Sequence, residues 1–459
     1  EGFDHAVEAH RRRWRALWQR ADIRIAGSAA VEQALRFHAY QLSIAADRDP
    51  KVSVGARGLT GRSYEGHVFW DVEIFLLPFF VHTRPDVARN LLLYRHATLG
   101  GARRRAAGMG LPGACYAWES TVTGEDVTPR EIVLRTSCKE IPIFTGTQQI
   151  HVTADVAFGV WRYWEATGDD EFLHGPGAEI LAETARFWAG RAESEGPAYH
   201  IRCVVGPDEY HHSVDDNAYT NYLARFNLER AALTCERLRR THPDAFGALA
   251  DRIGLAPEEL GRWREVASRL YVPRPNADGV IEQFQGFFAL GDYRLPAEER
   301  FKAPIDRLFD WDRINRLKLI KQADVLMLPF LFPQEFPHEI VAANYHYYEP
   351  LTDHGSSLSP PVHAALAARI GLREQAFKYW QQSLMLDLSD VMANSALGAH
   401  LACMGATWQA LVLGYLGVRF GEGGPKADKA AASRLPEKWR SAALELAWRG
   451  QTYPIVVER

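Results

Sequence analysis

VFWDVEIFLLPFF (Val68–Phe80) and WQALVLGYLGV (Trp408–Val418) are apolar on nearly every side when drawn as helices. A helix that is apolar all round is buried on all sides, whereas a surface helix carries a single apolar stripe. Stretches of the second kind, such as Ser28–Ala46 and Gln148–Gly168, alternate with them along the chain. About a dozen helical stretches in this order predict an all-α fold with two concentric rings of helices, an (α/α)6 barrel or toroid.

An α-solenoid is the alternative way to stack many paired helices. Many α-solenoid families repeat their sequence with a period of about 34 to 45 residues. We find no such repeat along this chain, and the sequence therefore favours the closed barrel.

The C-terminal stretch KWRSAALELAWRGQTYPIVVER (Lys438–Arg459) alternates between apolar and polar residues, with a turn signal at Arg449–Gly450. This period of two predicts two strands joined by a tight turn. The Gly- and Pro-containing stretch before it has the composition of an exposed linker. We expect a linker helix over 1–24, the barrel over 25–420, and a linker with a small β domain over 421–459.

The bulk composition excludes several classes of protein. The chain has 459 residues with a net charge of −4, 47% hydrophobic residues and 24% charged residues, which gives no basic surface for nucleic acid. No apolar run reaches the roughly 18 residues of a membrane span. The cysteines show no CxxC pair, so that neither a zinc site nor a disulfide framework is expected, and they fit a reducing cytoplasm. They are Cys115, Cys138, Cys203, Cys235 and Cys403.

Two Gly- or Pro-containing loops combine a tryptophan with a carboxylate. Trp70–Asp71 follows the glycine-rich stretch 55–66, and Trp118–Glu119 lies in CYAWESTVTGEDVTP, 115–129. A sugar ring presents an apolar face to an aromatic ring and hydroxyl groups to a carboxylate, so both pairs are candidate sugar-binding residues. The alternatives are core packing for each tryptophan and a helix-start carboxylate for Asp71.

The stretch VVGPDEYHHSVDDNAYTNYLA (204–224) places Asp208 and Glu209 in a Gly-Pro turn after an apolar run. A carboxyl group carried into a closed pocket can stay protonated near neutral pH, as a general acid requires. The alternative is an ordinary solvated turn carboxylate. His211 and His212 lack the spacing of a metal site, and no metal is expected.

Two further stretches offer cations and donors at predicted helix starts. Lys321–Gln322 opens the apolar run KQADVLML, where a lysine is unfavourable for the helix dipole. In TDHGSSLSPP, Ser359 is predicted as the N-cap, with Pro360 at the first helical position. The residues 354–357 ahead of it offer hydroxyl and backbone donors, which favour an anion. Plain capping is the alternative, and a serine nucleophile lacks the GxSxG elbow.

Together these stretches resemble glycoside hydrolase family 65, which contains inverting phosphorylases of maltose, kojibiose, nigerose and trehalose. The resemblance covers nearly the whole chain, and its blocks occur in the family's order. They are ARGLTGRSYEGHVFWDVEIFLLPFF, YAWESTVTGEDVTP, VVGPDEYHHSVDDNAYTN, KQADVLML, PLTDHGSSLSPPVHAA and GATWQALVLGYLG.

The resemblance implies an (α/α)6 barrel with a small C-terminal β domain, preceded by a linker helix and a large N-terminal β-sandwich. The sandwich is absent from this chain, whose first helix resembles the linker. We therefore expect the chain to be the C-terminal part of a longer protein. The resemblance also implies a homodimer.

Carried over by position, the resemblance implies that Glu209 is the general acid. The glucosyl unit would be bound by Trp70, Asp71, Lys321 and Gln322, the acceptor by Trp118 and Glu119, and phosphate by His354, Ser356 and Ser357. Phosphate would attack the anomeric carbon from the face opposite the leaving group, so that an α-glucoside gives β-glucose 1-phosphate. Inorganic phosphate is then a co-substrate, and no other cofactor is implied.

A hydrolase remains the alternative function, because Asp353 lies directly before His354. An inverting hydrolase needs a second carboxylate, about 6.5–9.5 Å from the acid, to activate water. If Asp353 points into the site it can repel phosphate and serve as that base. A carbohydrate-binding barrel without catalysis is a further alternative. The disaccharide linkage and the acceptor stay undetermined from the sequence.

Overall fold

A computed structural model describes residues 2–46, 49–133, 140–296, 299–301 and 310–459. Glu1 and Cys138 lie outside the described residues; the other four cysteines are free thiols. The described chain is mainly helical, as predicted. The helices are α1 (Phe3–Ala21), α2 (Ala29–Ala45), α3 (Leu77–Thr83), α4 (Pro85–Ala97), α5 (Leu99–Gly108), α6 (Thr145–Gln148), α7 (Val152–Thr167), α8 (Asp170–Phe172), α9 (Ala178–Arg191), α10 (Ala218–Thr241), α11 (Pro243–Ile253), α12 (Glu259–Arg269), α13 (Trp311–Ile314), α14 (Met327–Leu331), α15 (His338–Tyr348), α16 (Ser359–Arg369), α17 (Arg373–Leu384), α18 (Leu401–Gln409) and α19 (Ala431–Arg434).

Several short strands accompany the helices. They are β1 (Ile23–Ala26), β2 (Glu131–Val133), β3 (Glu140–Pro142), β4 (Glu193–Glu195), β5 (Ala198–His200), β6 (Ser441–Trp448) and β7 (Gln451–Glu458). Two pairs, β2 with β3 and β4 with β5, form two-stranded antiparallel sheets in the loops between helices.

A ring of helices forms the inner wall. The π-helical turn Val72–Leu76, continued by α3, packs against α7, and the ring then runs through α10, α14, α16 and α18 back to Val72–Leu76. The helices α2, α4, α9, α12, α15 and α17 pack against these from outside. Inner and outer helices alternate along the chain, and this arrangement fits an (α/α)6 barrel.

The ring closes between its first and last inner helices through close backbone contact. Gly405 of α18 lies against the carbonyl of Phe75, where any side chain would clash. The amide of Gln409 donates to the carbonyls of Ile74 and Phe75, at 3.0 and 3.1 Å. These bonds satisfy carbonyls at the π-helical turn, whose backbone groups are otherwise buried.

Three strands join the two ends of the described chain. The order is β1-β6-β7, all antiparallel. Arg449 and Gly450, both with positive φ, form the turn between β6 and β7, and the predicted hairpin is confirmed. Because β1 crosses the expected boundary at residue 24, the sheet ties the N-terminal segment to the C-terminal one. The three domain boundaries stay predictions.

The two ends of the barrel differ. The residues that precede the inner helices, such as Asp71, His151 and Asn217, meet at one mouth with the candidate site. The C-terminal ends of the same helices surround a separate cavity of about 660 Å³ at the other mouth. Trp408, Phe332 and the β6–β7 turn line this second cavity.

Candidate active site

Glu209 sits on a tight turn whose backbone is fixed from several sides. Val204 pairs with Val214 across the turn. A side chain at Gly206 would clash with the buried Asp324 carboxylate and the Asn217 amide, so only glycine fits there. The side chain of Glu209 remains 24% exposed, open to the barrel mouth.

Asp208, the neighbouring carboxylate, is buried and serves the backbone. Its Oδ2 lies 2.6 Å from His211 Nδ1 and accepts from Gln283 at 2.9 Å. Its Oδ1 accepts from the backbone N–H of Lys321 at 2.8 Å. With these donors in place Asp208 positions the loop, and Glu209 is the carboxylate that faces the site.

A second buried carboxylate supports the same turn. Asp324 accepts from the Asp208 N–H at 3.2 Å and from the Asn217 amide at 3.1 Å. Burial, reinforced by the negative charge of Asp208, raises the pKa of Asp324 to about 8. Asp324 is therefore largely uncharged at neutral pH, which avoids a second buried charge behind the turn that carries Glu209.

Lys321 faces Glu209, and its Nζ donates to Glu209 Oε2 at 3.1 Å. The predicted helix start at Lys321–Gln322 is wrong, because α14 begins only at Met327. The reason is tertiary: Lys321 N–H binds Asp208, and the Gln322 amide donates to the Pro207 carbonyl. Lys321 and Gln322 thus fix the turn that carries Glu209 instead of forming a helical turn.

Asp71 lies half-buried at the start of the turn Val72–Leu76, on the same mouth as Glu209. Burial raises the pKa of Asp71 to about 7, and the charge of Glu209 contributes in the same direction. Trp70, beside it, is buried and packs edge-on against His151, with ring centroids 5.0 Å apart. The predicted pairing of a ring and a carboxylate is therefore present here.

The second pair, Trp118–Glu119, stands next to the first. The ring centroids of Trp70 and Trp118 are 6.5 Å apart. Glu119 Oε2 lies 2.8 Å from His67 Nδ1. Burial raises the pKa of Glu119 although the His67 contact opposes it. His67 was not singled out by the sequence analysis, because a lone histidine before an apolar run carries no distinctive spacing.

The loop 354–357 contains a strained histidine. His354 has φ +58° and is fully buried, stacked on Phe301 with ring centroids 4.6 Å apart. Its Nδ1 lies 2.8 Å from Ser359 Oγ, and its Nε2 has no partner among the described residues. Burial holds the pKa of His354 well below its usual value, so the ring is neutral and offers Nε2 to a ligand. Backbone strain of this kind is typical of ligand sites.

The predicted N-cap role of Ser359 is wrong. Leu358 is the N-cap of α16, and Ser359 is its first residue. The Ser359 hydroxyl instead lies between His354 and His363. Ser356 and Ser357 are half-buried beside this pair.

The Asp353 carboxylate is already hydrogen-bonded within the protein. Its carboxylate accepts from the hydroxyl of Tyr210 and from the backbone N–H of Gly355. Its N–H donates to the Ile320 carbonyl at 2.9 Å, and Ile320 pairs in parallel with Thr352. The loop 354–357 is thereby held next to Lys321 and to the turn that carries Glu209.

A buried chain of polar groups behind the site was missed by the sequence analysis. His151 Nδ1 lies 2.6 Å from Asp155 Oδ2, and Tyr219 donates to Asp155 Oδ1 at 2.8 Å. The amide of Gln149 lies 3.2 Å from His151 Nε2 and donates to the Gly206 carbonyl at 2.9 Å. The i, i+4 pair in HVTAD was the available signal, but it also fits an ordinary helical contact.

Comparison with known proteins identifies the family. The model of the glycosyl hydrolase family 65 central catalytic domain matches residues 36–409. The chain belongs to glycosyl hydrolase family 65. Its family 65 relatives include the kojibiose phosphorylase of Halothermothrix orenii, 41% identical over 99% of this chain, and the α,α-trehalose phosphorylase of Thermoanaerobacter brockii, 36% identical over 98%. A solved structure of a candidate kojibiose phosphorylase from the human microbiome superposes with a TM-score of 0.89 at 27% identity, covering 100% of this chain and 65% of that one.

This family 65 chain spans about three fifths of the curated relatives it matches, 58% of the Halothermothrix protein and 56% of the Thermoanaerobacter protein. Within the described ranges, no helix is both long and apolar enough to cross a bilayer. The same residues contain no cluster of three His, Cys, Asp or Glu side chains arranged to hold a metal ion.

Proposed function

We propose that the protein is an inverting phosphorylase of α-linked, glucose-containing disaccharides that releases β-glucose 1-phosphate. Kojibiose is the first substrate to test, because the kojibiose phosphorylase of Halothermothrix orenii is 41% identical to this chain. Inorganic phosphate is the co-substrate, without another cofactor. The full protein would be a cytoplasmic homodimer in which an N-terminal β-sandwich precedes this (α/α)6 barrel.

In this proposal Glu209 is the general acid. It donates its proton to the glycosidic oxygen as the bond to the anomeric carbon breaks, and the released sugar keeps that proton as its hydroxyl group. Lys321 Nζ, 3.1 Å away, stabilises the carboxylate that remains. The acid recovers its proton from solvent before the next turnover.

Trp70 and Asp71, with Lys321 and Gln322, bind the glucosyl unit, and Trp118 and Glu119 bind the acceptor unit. The short distance between the two tryptophan rings supports adjacent sugar positions on either side of the broken bond. A phosphate oxygen forms the new bond to the anomeric carbon from the opposite face. His354 Nε2, Ser356 and Ser357 hold that phosphate.

The hydrogen bonds of the Asp353 carboxylate support phosphate, and not water, as the nucleophile. Its carboxylate already accepts from Tyr210 and Gly355, so it is poorly placed to take a proton from water beside the loop 354–357. The neutral ring of His354, whose Nε2 has no partner in the described part of the chain, favours an anion that accepts hydrogen bonds. An inverting hydrolase would instead need a carboxylate here that is available as the general base.

Turnover with and without phosphate tests the proposal. Kojibiose, nigerose, trehalose and maltose would be incubated with the full-length protein, and the products and their anomeric configuration followed by NMR. We expect β-glucose 1-phosphate from at least one sugar, only with phosphate present, and its loss in Glu209→Gln. The exposed Glu125, paired with Arg104, provides the matched control Glu125→Gln. Release of free glucose at the same rate without phosphate would favour the hydrolase.

A further inference from the structure

The imidazole of His151 links the two tryptophans of the candidate site to the turn that carries Glu209. His151 is fully buried. Its ring lies edge-on to Trp70 at 5.0 Å and to Trp118 at 6.0 Å, measured between centroids. Its Nε2 meets Gln149, whose amide also donates to the carbonyl of Gly206, three residues before the proposed acid. His151 therefore contacts both tryptophans and, through one amide, the turn that carries Glu209.

The hydrogen bonds around this imidazole define its partners. Asp155 accepts at Oδ1 from Tyr219, and its Oδ2 lies 2.6 Å from His151 Nδ1. With the proton on Nδ1, Nε2 is an acceptor. It takes one N–H of Gln149, and the other N–H goes to Gly206. Both donors of this amide are used, and its direction is set by His151.

The Gly206 carbonyl has little freedom on its other side. The Cα of Gly206 packs against Asp324 and Asn217, and the neighbouring Val205 N–H donates to the Gln148 carbonyl at 3.0 Å. The peptide that leads to Glu209 is thus held between Gln148 and Gln149, which precede α7, and Asp324. Loss of the Gln149 bond would let this peptide rotate, and Glu209 would move with it.

We propose that His151 is a positioning residue for the general acid: held by Asp155, it orients Gln149 so that the Gly206 carbonyl, and with it Glu209, lies in line with the glycosidic oxygen. The proposal rests on the proposed function, since it assigns Glu209 the role of acid. Misplacement of a reacting group by about 1 Å can lower a rate about 100-fold, which is the scale expected here.

The chain offers a matched pair of substitutions. In His151→Asn the amide nitrogen can replace Nδ1 and keep the Asp155 bond, but nothing replaces Nε2. In His151→Gln the amide oxygen can replace Nε2 and keep the Gln149 bond. Gln149→Leu, nearly the same in size, removes the amide without touching the histidine.

The test compares two substrates in the full-length protein. A disaccharide needs protonation of its leaving oxygen, whereas an α-glucoside of 4-nitrophenol needs little. We expect kcat on the disaccharide to fall about 10- to 100-fold in His151→Asn and Gln149→Leu, with the nitrophenyl glucoside and the phosphate KM changed less than about threefold. His151→Gln should retain more activity than His151→Asn, and the double variant His151→Asn/Gln149→Leu should lose no more than either single variant.

Equal losses on both substrates, or additive losses in the double variant, would overturn the inference and leave a packing role for His151. If His151→Asn does not fold, as judged by circular dichroism, the substrate ratio of Gln149→Leu decides alone. Failure of the proposed function has a different signature, because the wild-type protein would then give no glucose 1-phosphate from any disaccharide.

Discussion

Lys321 Nζ donates to Glu209 Oε2 at 3.1 Å, with both side chains partly buried at the mouth of the barrel. A charge-assisted hydrogen bond in such a site is worth about 1.5–3 kcal/mol. Lys321→Met should therefore lower kcat/KM about 10- to 100-fold with little change in melting temperature. Lys318→Met is the control, since Lys318 pairs with the exposed Asp292. Comparable losses in both variants would show that the pairing with Glu209 is not what matters.

Gly206→Ala is expected to inactivate the protein about 100-fold, because the new methyl group meets the Asp324 carboxylate and the Asn217 amide. The turn must shift, and Glu209 shifts with it. Steady-state kcat on the preferred disaccharide is the measurement. Gly247→Ala, in α11 with open space around the added methyl group, should keep full activity and gain up to about 1 kcal/mol of helix stability. Full activity of Gly206→Ala would contradict the tight fit.

Asp324→Asn should change how stability depends on pH. Asp324 has a folded-state pKa of about 8, above its ordinary value of 3.8, owing to burial and the charge of Asp208. The folded state therefore binds more protons than the unfolded state between about pH 4 and pH 8. The contribution of Asp324 to stability is fully present below about pH 4. It is lost progressively as the pH rises from about 4 to 8. The melting temperature of Asp324→Asn relative to the wild-type protein should therefore be higher at pH 9 than at pH 5. The same difference between the two proteins at both pH values would refute this prediction.

Asp71 should produce a transition near neutral pH in the activity profile. Its pKa is raised to about 7 by burial and by the charge of Glu209, so it changes between a hydrogen-bond donor and an acceptor-only carboxylate there. We expect kcat/KM for the disaccharide, measured from pH 5.5 to 8.5, to show a limb near 7 that disappears in Asp71→Asn. The limb surviving in the variant would assign it to another group.

His354→Asn should raise the KM for phosphate by about 10-fold or more, the cost of one hydrogen bond to an anion. The reason is the buried, neutral ring, whose Nε2 has no partner within the described ranges. The KM for the disaccharide should stay within about threefold, because in the proposed function the sugar units contact other residues. His346→Asn, on an exposed face of α15, serves as control. A larger change in the disaccharide KM than in the phosphate KM would place His354 on the sugar side.

The sequence predicted those parts of the fold in which local pattern and tertiary structure agree. Val68–Phe80 is apolar all round and lies in the inner ring, and Arg449–Gly450 forms the expected turn. Lys321 departs from prediction because its N–H is bonded to Asp208, 113 residues away. Asp353 could not be predicted for the same reason. Its carboxylate is oriented by Tyr210, 143 residues earlier, and local sequence patterns do not show contacts over such a separation.

Some residues of the candidate site could be predicted from the sequence, and others could not. Loops that combine tryptophan with carboxylate were visible from composition, and the structure brings Trp70 close to Trp118. Ser359 does not cap α16, because its hydroxyl contacts His354 and His363, and local capping signals do not show these partners. His151 stayed hidden because its stretch has ordinary helical periodicity, and only the packing of α7 against α10 gives Asp155 its contact with Tyr219.

The contact between Gln409 and Ile74 spans 335 residues, and it has a consequence for biosynthesis. The first inner helix leaves the ribosome long before its partner α18 exists, so one apolar flank stays open while the rest of the ring is made. During that interval the growing protein is exposed to aggregation and to chaperone binding. Closure can follow only after α18 has been made, so we expect a substitution at Gly405 that slows it to reduce the yield of folded protein more than its activity per molecule.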